Sequence, residues 1–289
     1  MNKITEAFVK EGIKKRSLNT HKGDYGKVLV VAGINDMPGA AYFASLAALR
    51  TGSGLVYVCT CRNNFAAIQT LLPEAICIDY ERLSANKSGS DAGALDINSY
   101  DAVAFGPGMG TSEAAKHLLR EILDRAKIPL IIDADGLNMI SIMNFSEQVK
   151  KCASQIIITP HIGEARRLLG GEIDDYSRNI IAMKLQKKYG CTVVLKGNKT
   201  LICSGQEWDD TYTNTTGNPG MATAGAGDVL TGIIASLAGQ GIDPIYATRM
   251  AVFIHGLAGD LAAADKGEHG MIARDILEKI PFAIRSIVE

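Results

Sequence analysis

The chain has 289 residues, with thirty Lys and Arg against thirty-one Asp and Glu for a net charge of −1. That length holds one large α/β domain over residues 1–289 with a sizeable core, and the balanced, scattered charge lacks the basic footprint of a nucleic-acid surface. No run reaches membrane-spanning length. Met1 to Ser17 interleaves Lys and Arg with Glu6 and Glu11 and has no long apolar segment, so no membrane or nucleic-acid partner and no signal peptide is expected, and the location read is cytoplasmic. Cys59, Cys61, Cys77, Cys152, Cys191 and Cys203 form neither a CxxC pair nor a Cys/His ligand spacing; they read as reduced core thiols, and any metal ligands stay unknown.

In chain order, short β-branched runs alternate with helical periodicity, which argues for a mostly parallel sheet covered by helices. The strands fall at Lys27–Ala32, Leu55–Thr60, Ala102–Phe105, Leu130–Asp133, Ile156–Thr159 and Thr192–Leu195. Ser84–Gly93 is the one low-complexity stretch and reads as a surface loop. Gly197-Asn198-Lys199 separates Val193–Lys196 from Thr200–Cys203, which predicts a hairpin and an antiparallel edge. From Asp228 to Ile287, Ala, Leu and Ile recur at helical spacing, interrupted by Gly239, Gly241 and Pro244, and read as three helices. Ala251, Leu257, Leu261 and Ile276 on them are either core or interface.

The residues around Asn218-Pro219-Gly220 and Gly225-Ala226-Gly227-Asp228 carry the most chemistry. Small residues run into an apolar helix, whose first turn offers unpaired N–H groups and partial positive charge to an anion, and glycine lets a phosphate approach closely. A carboxylate there is either a base taking a proton from a hydroxyl that reacts at phosphorus, or a first-turn Asp complementing the helix dipole. Further clusters sit where strands end. Gly106-Pro107-Gly108-Met109-Gly110 misses the GxGxxG spacing and is either a tight turn or a ligand contact. Asp133-Ala134-Asp135 ends a strand with two carboxylates, Asp135 being also a candidate helix cap. Thr159-Pro160-His161-Ile162-Gly163-Glu164 puts an imidazole and a carboxylate on one side of a first turn, where His161 either meets a ligand or bonds nearby backbone.

Together with Lys22-Gly23-Asp24-Tyr25-Gly26-Lys27, Gly39-Ala40-Ala41 and Leu195-Lys196-Gly197, these motifs in this order resemble the ADP- or ATP-dependent NAD(P)H-hydrate dehydratases of the ribokinase-like superfamily. The resemblance implies a three-layer ribokinase-like α/β fold, its central, mostly parallel sheet flanked by helices. It implies restoration of NADH or NADPH from the 6S hydrates NADHX and NADPHX, a metabolite-repair reaction releasing AMP or ADP with phosphate. It assigns Lys196, Gly197, Asn198, Lys199 and Thr200 to the adenosine and first phosphate, and Gly225, Ala226 and Gly227 to the transferred phosphate. Asp228 becomes the base, and Ala40, Ala41, Gly108, His161 and Asp228 contact the hydrate. Mg²⁺ is expected to accompany the ADP or ATP co-substrate, and a homo-oligomer, a tetramer by family habit, is expected. Many relatives carry an N-terminal epimerase half; this chain begins about twenty residues before its first core strand, and no epimerase domain is expected. Kinases of the superfamily usually show Asn-x-x-Glu where this chain has His161 and Glu164. A vitamin-precursor kinase shares the cradle and the base and is the alternative; a non-catalytic nucleotide sensor leaves Asp228 without purpose.

Overall fold

Alternating β-branched runs and helices wind into a sheet covered on both faces. In this computed structural model the described residues are 2–13, 15–34, 36–80, 96–171, 173 and 177–289; Ser84–Gly93 lies outside them. The order is β1 (Asn2–Lys3), α1 (Glu6–Gly12), β2 (Lys27–Val31), α2 (Pro38–Thr51), β3 (Leu55–Thr60), α3 (Phe65–Leu71), β4 (Ile76–Asp79), β5 (Ala102–Phe105), α4 (Glu113–Arg125), β6 (Leu130–Ile132), α5 (Asp135–Ile142) and α6 (Ser146–Lys151). Then come β7 (Ile156–Ile158), α7 (Ile162–Leu168), α8 (Arg178–Tyr189), β8 (Thr192–Leu195), β9 (Leu201–Cys203), β10 (Thr211–Thr213), α9 (Ala226–Gly239), α10 (Pro244–Lys266) and α11 (Ala273–Val288).

The sheet order is β1-β10-β9-β8-β7-β6-β5-β2-β3-β4, parallel from β8 through to β4. Side chains alternate across it. Val28 and Val30 join a core with α2, α9, α10 and α11, while Leu29 and Val31 join a second core beneath α4, α5, α7 and α8. A strand buried on both faces needs apolar residues at every position, which β6 (Leu-Ile-Ile) and β7 (Ile-Ile-Ile) supply.

Three expected strands end one residue early, at Val31, Ile132 and Ile158. The lost residues Ala32, Asp133 and Thr159 still bond to neighbouring strands through their N–H groups, to Cys59, Phe105 and Ile132, but their chain then turns away into the loops above the sheet. β1, β4 and β10 are additional, at two, four and three residues too short to show a period. The hairpin forms as β8 and β9, and β10 extends it antiparallel, yet it is not the edge: β1 pairs outside β10 in parallel. The three C-terminal helices form as read. Ala251 and Ile276 are fully buried core, and Leu257 and Leu261 pack half-buried against it.

Candidate active site

The carboxyl ends of β5 to β8 converge with the first turns of α2, α5, α7 and α9, the place where open parallel sheets leave a crevice. Asp133, just past β6, is 1% exposed. Its Oδ1 lies 2.7 Å from Lys196 Nζ, and its Oδ2 accepts a 2.7 Å bond from the Thr231 hydroxyl on α9. Lys196 Nζ also stands 3.9 Å from Glu164 Oε2. Burial works against the ammonium, but Asp133 and Glu164 outweigh it and hold the Lys196 pKa above its ordinary value. The cation stays charged.

Gly225 caps α9 with φ +90, and a Cβ there would come within 2.8 Å of the Phe43 ring, so both backbone and packing demand glycine. Ala226 N–H bonds back to Thr223 and Val229 N–H to Gly225, whereas the Gly227 and Asp228 N–H groups have no backbone acceptor among the described residues. A Cβ on Gly227 would sit 3.3 Å from Lys196 Nζ and 3.7 Å from Asp133 Oδ2, which places the open turn directly against the buried pair. No side chain among the described residues hydrogen-bonds the Asp228 carboxyl. Burial first, then the charges of Asp133 and Asp135, push it up to about 7 against the opposing pull of Lys196. A half-buried carboxyl with that value can take up and release a proton near neutrality.

His161 caps α7. Its Nδ1 accepts from Gly163 N–H at 3.0 Å and Glu164 N–H at 3.3 Å, while Glu164 Oε2 accepts His161 N–H at 2.8 Å. Burial, together with the cations Lys196 and Arg167, lowers its pKa, so the ring is neutral. Nδ1 is occupied as an acceptor, Nε2 lies 3.5 Å from Glu164 Oε1, and the ring is about half exposed. The backbone-bonding alternative is therefore real, and it leaves an exposed edge of the ring free to meet a ligand. Burial raises the Glu164 pKa despite Lys196.

Ala40 lies in the first turn of α2. A Cβ on Gly108 (φ +61) would come within 3.0 Å of both Ala40 Cβ and Met37 Cβ, so the glycine turn packs closely against the start of α2. The turn is pinned because Gly33 and Ile34 donate N–H bonds of 2.9 Å each to the carbonyls of Pro107 and Gly108. Ala41 is fully buried behind Ala40, against Gly33. Asp135 does not cap α5. It opens that helix, and its Oδ2 accepts from Gly110 N–H at 2.8 Å, locking the glycine turn in place. Lys196–Thr200 joins β8 to β9 beside α9, with Gly197 at φ +141 and Lys199 at φ +54. Lys22–Tyr25 is a short 3-10 turn before β2, at the opposite end of the sheet.

Sequence reasoning named every one of these segments, with Asp133 and Glu164 among the carboxylates that follow strands, but did not foresee that both would face Lys196 or that Thr231 would bond Asp133. Each looks ordinary in its own segment; a Thr three residues after Asp228 and an Asp ninety-odd residues earlier meet only through the fold.

The family model for NAD(P)H-hydrate dehydratase matches residues 28–282. This protein belongs to that family. Its fold is ribokinase-like: it superposes on a ribokinase-like superfamily protein of Enterococcus faecalis with TM-score 0.85 at 28% identity, over 99% of this chain and 96% of that one. The ADP/ATP-dependent NAD(P)H-hydrate dehydratase of Bacillus subtilis, co-crystallized with ATP/Mg²⁺, matches at TM-score 0.83 and 31% identity over 99% and 98% of the two chains. A bifunctional NAD(P)H-hydrate repair enzyme of Moorella thermoacetica is 37% identical over 99% of this chain and 54% of its own, so the chain spans about half the length of that relative.

Proposed function

We propose that the protein converts the 6S hydrate of NADH or NADPH back to the reduced nucleotide while ADP or ATP loses its terminal phosphate. The observation that carries this reading is the Asp228 carboxyl, poised near neutrality beside the open first turn of α9, with the Lys196 ammonium against that turn. Hydroxide leaves poorly, so the C6 hydroxyl must first become a better leaving group. Asp228 takes the hydroxyl proton as the oxygen attacks the terminal phosphorus; the bond to the nucleotide's bridging oxygen breaks and AMP or ADP departs. The ring nitrogen lone pair then expels phosphate from C6, and loss of a C5 proton completes the dihydronicotinamide. Gly225, Ala226 and Gly227 with Lys196 receive the moving phosphoryl group, and Lys196–Thr200 holds the rest of the nucleotide. Ala40, Ala41, Gly108 and His161 hold the hydrate.

Mg²⁺ belongs with the nucleotide. Among the described residues no three His, Cys, Asp or Glu side chains form a cluster able to hold a metal, and Asp133 and Glu164 already face Lys196 and the backbone. These residues do not fit an all-protein metal site, and no step is derived through one.

No helix among the described residues is long and apolar enough to cross a membrane. The expected homo-oligomer is checked by light scattering. The reaction is tested by incubating the chain with hydrated NADH or NADPH and each nucleotide, following reduced-nicotinamide absorbance and free phosphate together. Stoichiometric appearance of both supports the dehydratase; phosphate transferred to a stable product with no absorbance gain supports the kinase alternative.

A further inference from the structure

We propose that Arg178 is the positioning residue that shapes the Lys196–Thr200 loop into an anion-binding turn, an inference that rests on the reading of this loop as part of the nucleotide site. Arg178 opens α8 and reaches across to the loop. Its Nη2 donates to the carbonyls of Leu195 at 2.9 Å and Lys196 at 3.3 Å, and its Nη1 to that of Asn198. The carbonyl between them, of Gly197, accepts from the Thr200 hydroxyl at 3.0 Å.

Four consecutive carbonyls, 195 to 198, are thus tied down by donors of the protein itself. The N–H groups of Gly197, Asn198 and Lys199 find no acceptor among the described residues. A turn whose acceptors are engaged while successive N–H groups are unpaired attracts negative charge. The guanidinium adds a half-buried positive charge behind it. Its planar fork reaches three carbonyls at once, which a lysine ammonium on a flexible stem cannot reproduce.

Gly197 answers to the same side chain. Its φ of +141 excludes ordinary L residues, and a Cβ would stand 3.1 Å from Arg178 Nη2, so the glycine of the Lys-Gly pair makes room for the arginine as well as for the turn. The inferred ligand is a phosphate of the adenine nucleotide, held by backbone donors that Arg178 orients without touching the ligand itself.

The test titrates ADP and ATP directly against the wild-type chain, Arg178→Lys and Arg178→Ala by calorimetry, followed by turnover of the hydrate. Both variants are expected to bind nucleotide about tenfold or more weakly, with the KM for the hydrate unchanged. Millimolar guanidinium, but not sodium at equal ionic strength, is expected to restore part of the affinity of Arg178→Ala. Wild-type affinity in Arg178→Lys overturns the inference, as does a lowered melting temperature with no guanidinium rescue. If the wild-type chain binds neither ADP nor ATP, the functional reading of the loop itself falls, and this inference with it.

Discussion

The two ends of the parallel strands make opposite uses of the same architecture. At the amino end a cavity of about 1130 Å³ is lined by Arg16, Asp24, Arg50, Gln240 and Arg285 among others, and the last turns of α2, α9 and α11 reach it. At the carboxyl end the first turns of α7 and α9 come up to a part-buried Lys196–Asp133 pair. Helix C-termini carry partial negative charge that basic side chains neutralise, whereas helix N-termini present unpaired donors that an anion can use. Arg16 illustrates the first case: its guanidinium donates to the Gly52 carbonyl at 2.6 Å, at the end of α2, and stacks over Tyr25 at 3.8 Å. Volume alone does not mark a reactive site; direction of the helices does.

The strongest challenge to this contrast is Asp228→Asn. It is expected to lower turnover by about 10²–10⁴-fold, the usual contribution of a general base, while nucleotide affinity stays equal or improves because a negative charge beside the phosphates is gone. Parallel loss of nucleotide binding, measured by calorimetry, would make Asp228 structural. Next is Gly227→Val, whose side chain would crowd Lys196 Nζ and Asp133 and block the open turn. Nucleotide binding is expected to weaken by about 1–3 kcal/mol, as for a lost charge-assisted contact; an unchanged dissociation constant would place the phosphate elsewhere.

The pH dependence sharpens the comparison. Because burial, Asp133 and Asp135 raise the Asp228 carboxyl to about 7, kcat/KM should fall as pH drops through that value, and the fall should vanish with the carboxyl. Stability should run the other way. A carboxyl raised on folding binds its proton more tightly in the native state, so its stabilising contribution is full below the unfolded value near 4 and is lost as pH rises towards 7. Asp228→Asn should therefore melt higher than the wild-type chain at pH 8, by a margin that disappears below pH 4 in calorimetric scans.

A smaller effect separates the two ligands. His161→Ala is expected to raise the KM for the hydrate severalfold and leave the nucleotide constant nearly unchanged, and Lys199→Ala to do the reverse, since side chains without shared partners act nearly additively. His161→Ala also removes the α7 cap, at roughly 1 kcal/mol of stability. If His161→Ala cripples nucleotide binding and spares the hydrate, its assignment to the hydrate is wrong. The smallest effect belongs to the amino end: Arg50→Ala should change kcat/KM by less than about twofold, within the range of a surface substitution. A tenfold loss there would break the contrast between the two ends.

The two ends also differ in how they could be read. Strands such as Leu55–Thr60 and the helices after Asp228 announce themselves because burial on both faces, or at every third and fourth position, leaves a period in the residues. The glycine-rich entry to α9 and the His161–Glu164 box are local motifs whose partners lie within a few positions, and both formed as their spacing implied. β1 and β10, of two and three residues, have no length in which to show a period. Asp135 looked like a cap because an Asp at a helix start usually is one, and only contact with Gly110 gave it a different task.

The sequence by itself determined the alternation of strands and helices, the glycine-rich and charged clusters that follow the strands, and the family, because each rests on spacing within a segment or on the order of segments. Tertiary structure alone decided that Asp133, Lys196 and Thr231 form one hydrogen-bonded network against the first turn of α9, and that Arg178 holds the carbonyls of Leu195, Lys196 and Asn198. The physical reason is range. Charge and hydrogen bonding act over a few ångströms, and the residues involved are brought within that distance only when the parallel strands align their carboxyl ends.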